Sequence, residues 1–164
     1  MKRRRRLPMF QSLEPPVYVI DTSAWLNIDS RPDSEDVWQL IVDLINEERI
    51  IACARVLGEL RDQPIYMLRL KPFEAALQSG DRQSNDVDYL MHVGKVAHKH
   101  PGMSRAVGRK TPADPYVVAL AELENCIVVC DESNKRPSRK IPGVCQMRGI
   151  QCLTLDQFIA KEKK

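Results

Sequence analysis

Apolar positions along the chain fall into two alternating kinds of run. Short, nearly unbroken apolar segments read as strands: VYVI at 17–20, RIIAC at 49–53, CIVVC at 126–130 and IQCLTL at 150–155. A strand covered on both faces has no polar side to show, so continuity replaces alternation. Between these stand segments with apolar residues at helical spacing. Asp33 and Ser34 offer a cap to a helix with Val37, Leu40, Ile41, Leu44 and Ile45. ARVLGELRD is a helix carrying Glu59, and Pro72 opens a short one, PFEAALQS, which the segment Gly80 to Ser84 breaks. Asp86 caps a longer helix through Leu90, Met91 and Ala97 up to Pro101. PADPYVVALAELEN is a helix with Val117, Val118, Leu120 and Ala121 on one face; a short helix lies around Val144 to Met147, and LDQFIAK is the last. No repeat is visible. Strands alternating with helices predict an α/β fold with a mainly parallel sheet covered on both faces.

With 164 residues, 43% of them apolar and 29% charged, the chain suits one soluble globular domain. No apolar run approaches the roughly 20 residues that span a bilayer, so no membrane partner is expected. The start, MKRRRRLPMF, is basic but lacks the apolar stretch of a signal peptide. Residues 1–16 are read as a basic, flexible arm ending at Pro15–Pro16, and residues 17–164 as a single domain. The five cysteines (Cys53, Cys126, Cys130, Cys145 and Cys152) are odd in number and lack paired C-x-x-C spacing. They read as buried thiols in a reducing cytoplasm, not as zinc ligands or disulfides.

Net charge is only +3, but three stretches carry bases without acids. Residues 1–13 hold five; Lys95, Lys99, Arg105, Arg109 and Lys110 lie between Asp88 and Asp114; Lys135, Arg136, Arg139, Lys140 and Arg148 lie between Glu132 and Asp156. Such one-signed stretches suit a polyanion, or serve simply as solvated loops.

Five acids fall where an open α/β sheet binds its ligands, beyond the carboxyl ends of the strands. Asp21 directly follows the first strand, Glu59 lies on the helix after the second, Asp131 and Glu132 follow CIVVC, and Asp114 opens the helix leading into that strand. Carboxylates gathered together repel unless a cation neutralises them. Mg²⁺ or Mn²⁺ would do so, since both take hard oxygen ligands. Each acid also has a plainer use. Asp21 with Thr22 could form an Asx turn, Glu59 could face solvent, and Asp131 and Glu132 could merely end a strand. Asp114 before Pro115 could cap its helix, in a capping box with Thr111.

The succession VIDTSAW, VLGEL, ADPYVVALA, VVCDE resembles the PIN domain, a family of metal-dependent nucleases. The ending KIPGVCQMRGIQCLTLDQFI resembles a prokaryotic PIN-like branch related to the toxins of toxin–antitoxin pairs. The resemblance runs from Val17 to about Ile159. It implies a three-layer α/β/α sandwich and an endoribonuclease that hydrolyses RNA phosphodiester bonds with one or two Mg²⁺ or Mn²⁺ ions. By position, the catalytic acids would be Asp21, Glu59, Asp114 and Glu132, with Thr22 and Ser23 in support. Metal ligands would come from Asp21, Asp114, Glu132 and Asp131, the last standing in for Glu132 as fourth acid. Cys130 replaces the family's hydroxyl at the strand end. RNA would be held by Arg109, Lys110, Lys135, Arg136, Arg139 and Lys140. A cognate antitoxin and a homodimer are the partners such a protein implies.

Two other readings fit part of the pattern. An aspartyl phosphatase or phosphotransferase would use Asp21 as nucleophile, but commonly has a second Asp two residues on, where Ser23 stands. A non-catalytic PIN-like scaffold would bind RNA or a partner through its basic surface.

Overall fold

The computed structural model describes residues 14–78, 86–104, 112–133, 135 and 139–164. Four short strands, β1 (Tyr18–Ile20), β2 (Ile50–Ile51), β3 (Ile127–Val129) and β4 (Cys152–Leu153), form one sheet in the order β2-β1-β3-β4. Every pairing is parallel, with Tyr18 opposite both Ile50 and Ile127, and Val128 opposite Cys152. Among the described residues eight helices cover the sheet: α1 (Thr22–Ile28), α2 (Ser34–Asn46), α3 (Ala54–Leu60), α4 (Glu74–Leu77), α5 (Val87–Lys99), α6 (Asp114–Glu124), α7 (Ile141–Arg148) and α8 (Leu155–Glu162). The architecture is the expected α/β/α sandwich. None of the described helices is long and apolar enough to cross a membrane.

Helix α6 is the hub. It packs on β1 and β3, and α5 lies against it on its outer side. Val117 through Ala121 are all buried, because a helix held between a sheet and another helix keeps almost no solvent face. Its end is set by Asn125, whose left-handed backbone (φ 55°) closes the last turn. On the other flank α2 and α4 pack on β2. The buried Trp25 of α1 donates from its ring nitrogen to the Ile20 carbonyl at 3.1 Å. That contact ties the first helix to the end of the first strand.

Several expectations shift in detail. The strands are two or three residues long, shorter than the apolar runs that contain them, because the flanking residues turn away to start helices. α1 was not predicted. Asp33 occupies the N-cap of α2 but makes no side-chain cap bond; its carboxylate pairs with Arg31 at 2.8 Å instead. Asp86 does cap α5, accepting from Tyr89 N at 3.2 Å. The segment PFEAALQS splits into a single 3₁₀ turn at Lys71–Phe73 and the four-residue α4, preceded by a π-turn at Tyr66–Leu70. The short helix expected around Val144 begins earlier, at Ile141, with Pro142 in its first turn. All five cysteines are free, four of them buried and Cys152 half-buried.

β1 leads to β2 on one side, while β3 leads to β4 on the other. Strand order therefore reverses between β1 and β3. The carboxyl ends of that central pair form the crevice where open α/β sheets take their ligands.

Candidate functional site

Asp21 is the residue after β1 and the N-cap of α1. It is 3% exposed, the one buried residue of polar or charged type among those described. Its backbone N–H completes the sheet by donating to Val129 O at 2.9 Å. Its side chain caps α1 through Oδ2, which accepts from Ser23 N at 3.2 Å and Ser23 Oγ at 2.9 Å. The Cys130 thiol approaches the same oxygen at 3.6 Å. Turn-forming and site-forming are thus one arrangement, with Oδ1 taking none of these bonds. Burial pushes the Asp21 carboxyl above its ordinary range; Ser23 opposes that rise and the charge of Glu132 adds to it.

The other acids arrive from three further elements. Glu59, on α3, accepts from Thr22 Oγ1 at 2.5 Å and from the Ala113 N–H at 3.0 Å. It thereby bridges the N-terminal ends of α1 and α6. Asp114 is the first residue of α6, and the N-cap position belongs to Ala113, whose side chain cannot cap. The helix cap that was the plainer use for Asp114 is therefore not formed. Its carboxyl takes no hydrogen bond from the described residues, and it is pushed up to about 7 by burial, then by the charges of Glu132, Asp21 and Glu59. Glu132, after β3, accepts from Lys140 Nζ at 2.9 Å and from Ile141 N at 3.4 Å. The four acids sense one another across the crevice.

Cys130, just after β3, is held within the same frame. Its Sγ lies 3.6 Å from Ser23 Oγ and accepts from Glu132 N at 3.4 Å. Burial and the neighbouring Asp21 hold it strongly protonated, so the thiol serves as a weak donor within the frame.

Asp131 faces elsewhere. Oδ1 accepts from Leu155 N at 2.7 Å and Oδ2 from Asn27 Nδ2 at 2.9 Å, while its own N–H donates to Ser23 Oγ at 3.0 Å. Both carboxylate oxygens are spent joining α1 to the start of α8, away from the four acids.

Of the six expected RNA-binding cations, three are among the described residues. Arg109, Lys110 and Arg136 lie outside the described residues. Lys135 is exposed, and Arg139 is half-buried with its stem laid over Gly102, where an added Cβ would come within 2.4 Å of Cγ. Lys140 points into the acidic cluster. Arg55, which the sequence did not single out, is exposed on α3 one turn before Glu59. Its guanidinium lies 5.0 Å from the ring centre of Tyr116, two residues past Asp114. A cleft of about 630 Å³ opens at the opposite, amino-terminal edge of the sheet, lined by Val17, Glu122, Arg148 and Gly149 among others. None of the four acids reaches it.

Among the described residues no three His, Cys, Asp or Glu side chains are arranged to hold a metal ion. The reason is visible: Glu59 and Glu132 are turned to hydrogen-bond donors of the chain itself. The donor chemistry nevertheless suits a hard divalent cation, since Asp114 is a carboxyl crowded by three others, with Lys140 partly offsetting their charge.

Fold and site together define a parallel α/β protein with a carboxylate cluster at its topological switch point. The chain matches the family described as DUF4411, a domain of unknown function, over residues 18–164, and belongs to it. No curated protein matches the chain.

Proposed function

We propose that this protein is a divalent-metal-dependent endoribonuclease of the PIN type, cutting RNA phosphodiester bonds at the crevice beyond β1 and β3. Asp114 carries the reading. It stands in a helix first turn, caps nothing, and lies in the field of Asp21, Glu59 and Glu132. A structural acid would be paired or solvated; this one is neither fully solvated nor given a donor.

Asp21 and Asp114 would hold Mg²⁺ or Mn²⁺, with Glu132 joining them, and the ion when bound supplies the Lewis acidity for phosphodiester hydrolysis. The chain's own residues set the frame. Ser23 and Cys130 fix Asp21 through Oδ2. Thr22 and the Ala113 N–H lock Glu59, which adds negative potential beside Asp114. Cations around the rim, Lys135, Arg139 and Arg55 among them, would hold phosphates by charge without reading bases.

The test is incubation of structured and single-stranded RNAs with Mg²⁺, Mn²⁺ or EDTA, for wild type, Asp21→Asn and Asp114→Asn. Cleavage is expected with either ion, and loss of it in EDTA and in both variants. Equal cleavage by the variants, or in EDTA, would eliminate the nuclease.

One observation favours the binding-only scaffold: all four oxygens of Glu59 and Glu132 are occupied within the chain. That protein would retain RNA in a salt-sensitive way, indifferent to both substitutions. The phosphotransferase reading is disfavoured by the near-complete burial of Asp21, which leaves a phosphoryl donor little room to approach. By the same resemblance the nuclease would act as a toxin silenced by a cognate antitoxin.

A further inference from the structure

Among the described residues, the basic side chain paired with a member of the acidic cluster is that of Lys140. It occupies the N-cap of α7, where its Nζ donates to Glu132 Oε1 at 2.9 Å while the next N–H, of Ile141, donates to Oε2 at 3.4 Å. This double grip is what withholds Glu132 from Asp21 and Asp114. The ammonium also lies in the field of Asp114, and it partly offsets the crowding of charge there. Its side chain is 42% exposed, so no wall confines it. A half-exposed Lys–Glu pair is a weak tie, and the four-carbon stem lets the head group travel. An ammonium and a divalent cation that compete for the oxygens of one carboxylate repel each other.

We propose that Lys140 is the resident counter-ion of the acidic cluster: its ammonium holds Glu132 until displaced by a divalent cation, whereupon Glu132 turns to the cation and Lys140 moves out to solvent. This rests on the reading of the cluster as a divalent-cation site. It accounts for Glu132 being turned to Lys140 and Ile141 N while Asp114 beside it takes no hydrogen bond from the described residues. Lys140 is here a positioning residue, acting through Glu132.

Mn²⁺ binding to the full chain, measured by titration calorimetry, tests it with wild type, Lys140→Gln, Lys140→Arg and Asp114→Asn. Wild type should bind, Asp114→Asn should lose binding, and Lys140→Arg should stay near wild type. Lys140→Gln, relieved of a competing charge, should bind on the order of tenfold more tightly. It should also melt lower than wild type in EDTA and recover with Mn²⁺. Unchanged or weaker binding by Lys140→Gln, with Asp114→Asn still inactive in binding, overturns the counter-ion role and leaves the cation site standing. Absence of Mn²⁺ binding by wild type, or binding indifferent to Asp114→Asn, overturns the cation site itself. Should Lys140→Gln fail to fold, acylation of Lys140 in wild type decides by mass spectrometry. Faster labelling with Mn²⁺ supports release, and equal labelling overturns it.

Discussion

At the first position of α6 an acid would ordinarily be welcome, because a helix N-terminus carries partial positive charge. At Asp114 burial and three nearby carboxylates outweigh that attraction, and the carboxyl is pushed up to about 7 from 3.8. The sign of the consequence follows. Between those two values the folded chain keeps a proton that the unfolded chain has released, so stability falls as pH rises through the window. In EDTA, wild type should therefore lose stability relative to Asp114→Asn from about pH 4 to pH 7 and level off above. Urea unfolding at stepped pH measures the gap; a gap constant across that range would contradict the clustering. Cys130 makes a related point at the same scale. A thiol where the resembled family has a hydroxyl could have disrupted the strand end, yet its Sγ still meets Asp21, Ser23 and Glu132.

Elements divide the two consecutive acids after β3 between two tasks. A β-strand turns alternate side chains to opposite faces, and the chain beyond β3 continues that divergence: Glu132 goes to α7 and the cluster, Asp131 to α8 and α1. Asp131→Ala would leave the part-buried Leu155 N–H without its acceptor, costing about 1 kcal/mol, while the exposed Asn27 amide can turn to water. Urea unfolding should register that loss while the proposed Mn²⁺ binding and RNA cleavage persist. Loss of Mn²⁺ binding in a folded Asp131→Ala protein would make Asp131 the metal ligand that the resemblance allows it to be. The grouping of α1, α3 and α6 at the crevice likewise depends on Glu59, whose two oxygens link Thr22 to Ala113. That bridge joins residues 22, 59 and 113, and no local pattern announces it.

For the whole molecule, the sheet separates two ends. The acidic crevice occupies the carboxyl edge, whereas Glu14 to Val17 enter at the amino edge beside the 630 Å³ cleft. If the proposed substrate is RNA, a strongly negative pocket repels it, so affinity would come from the basic surface around the pocket and should weaken with salt. Cleavage at such a site, if it serves a toxin, has a cellular readout. Expression of wild type without an antitoxin should slow growth of the host, and Asp114→Asn at matched soluble level should not. Equal growth of the two strains would argue against the toxin role.

What the sequence determined by itself was the alternation of buried strands with helices, and from it a parallel sheet with acids at one rim; continuous apolar runs such as VYVI and CIVVC have no other economical home. It underdetermined α1, because seven residues starting at a hydroxyl pair give too few turns to show a period, although Ala24, Trp25 and Ile28 do face inward. It also could not tell the cap reading of Asp114 from the site reading, nor separate Asp131 from Glu132. Which donors each of these carboxylates meets was decided by tertiary structure. Direction in space depends on which partners crowd each carboxylate, and the deciding partners, Ala113, Lys140, Asn27 and Leu155, come from other parts of the chain. Lys140 shows this most clearly: as one base in SNKRPSRK it reads as surface charge, and only the return of α7 to the sheet edge sets it against Glu132.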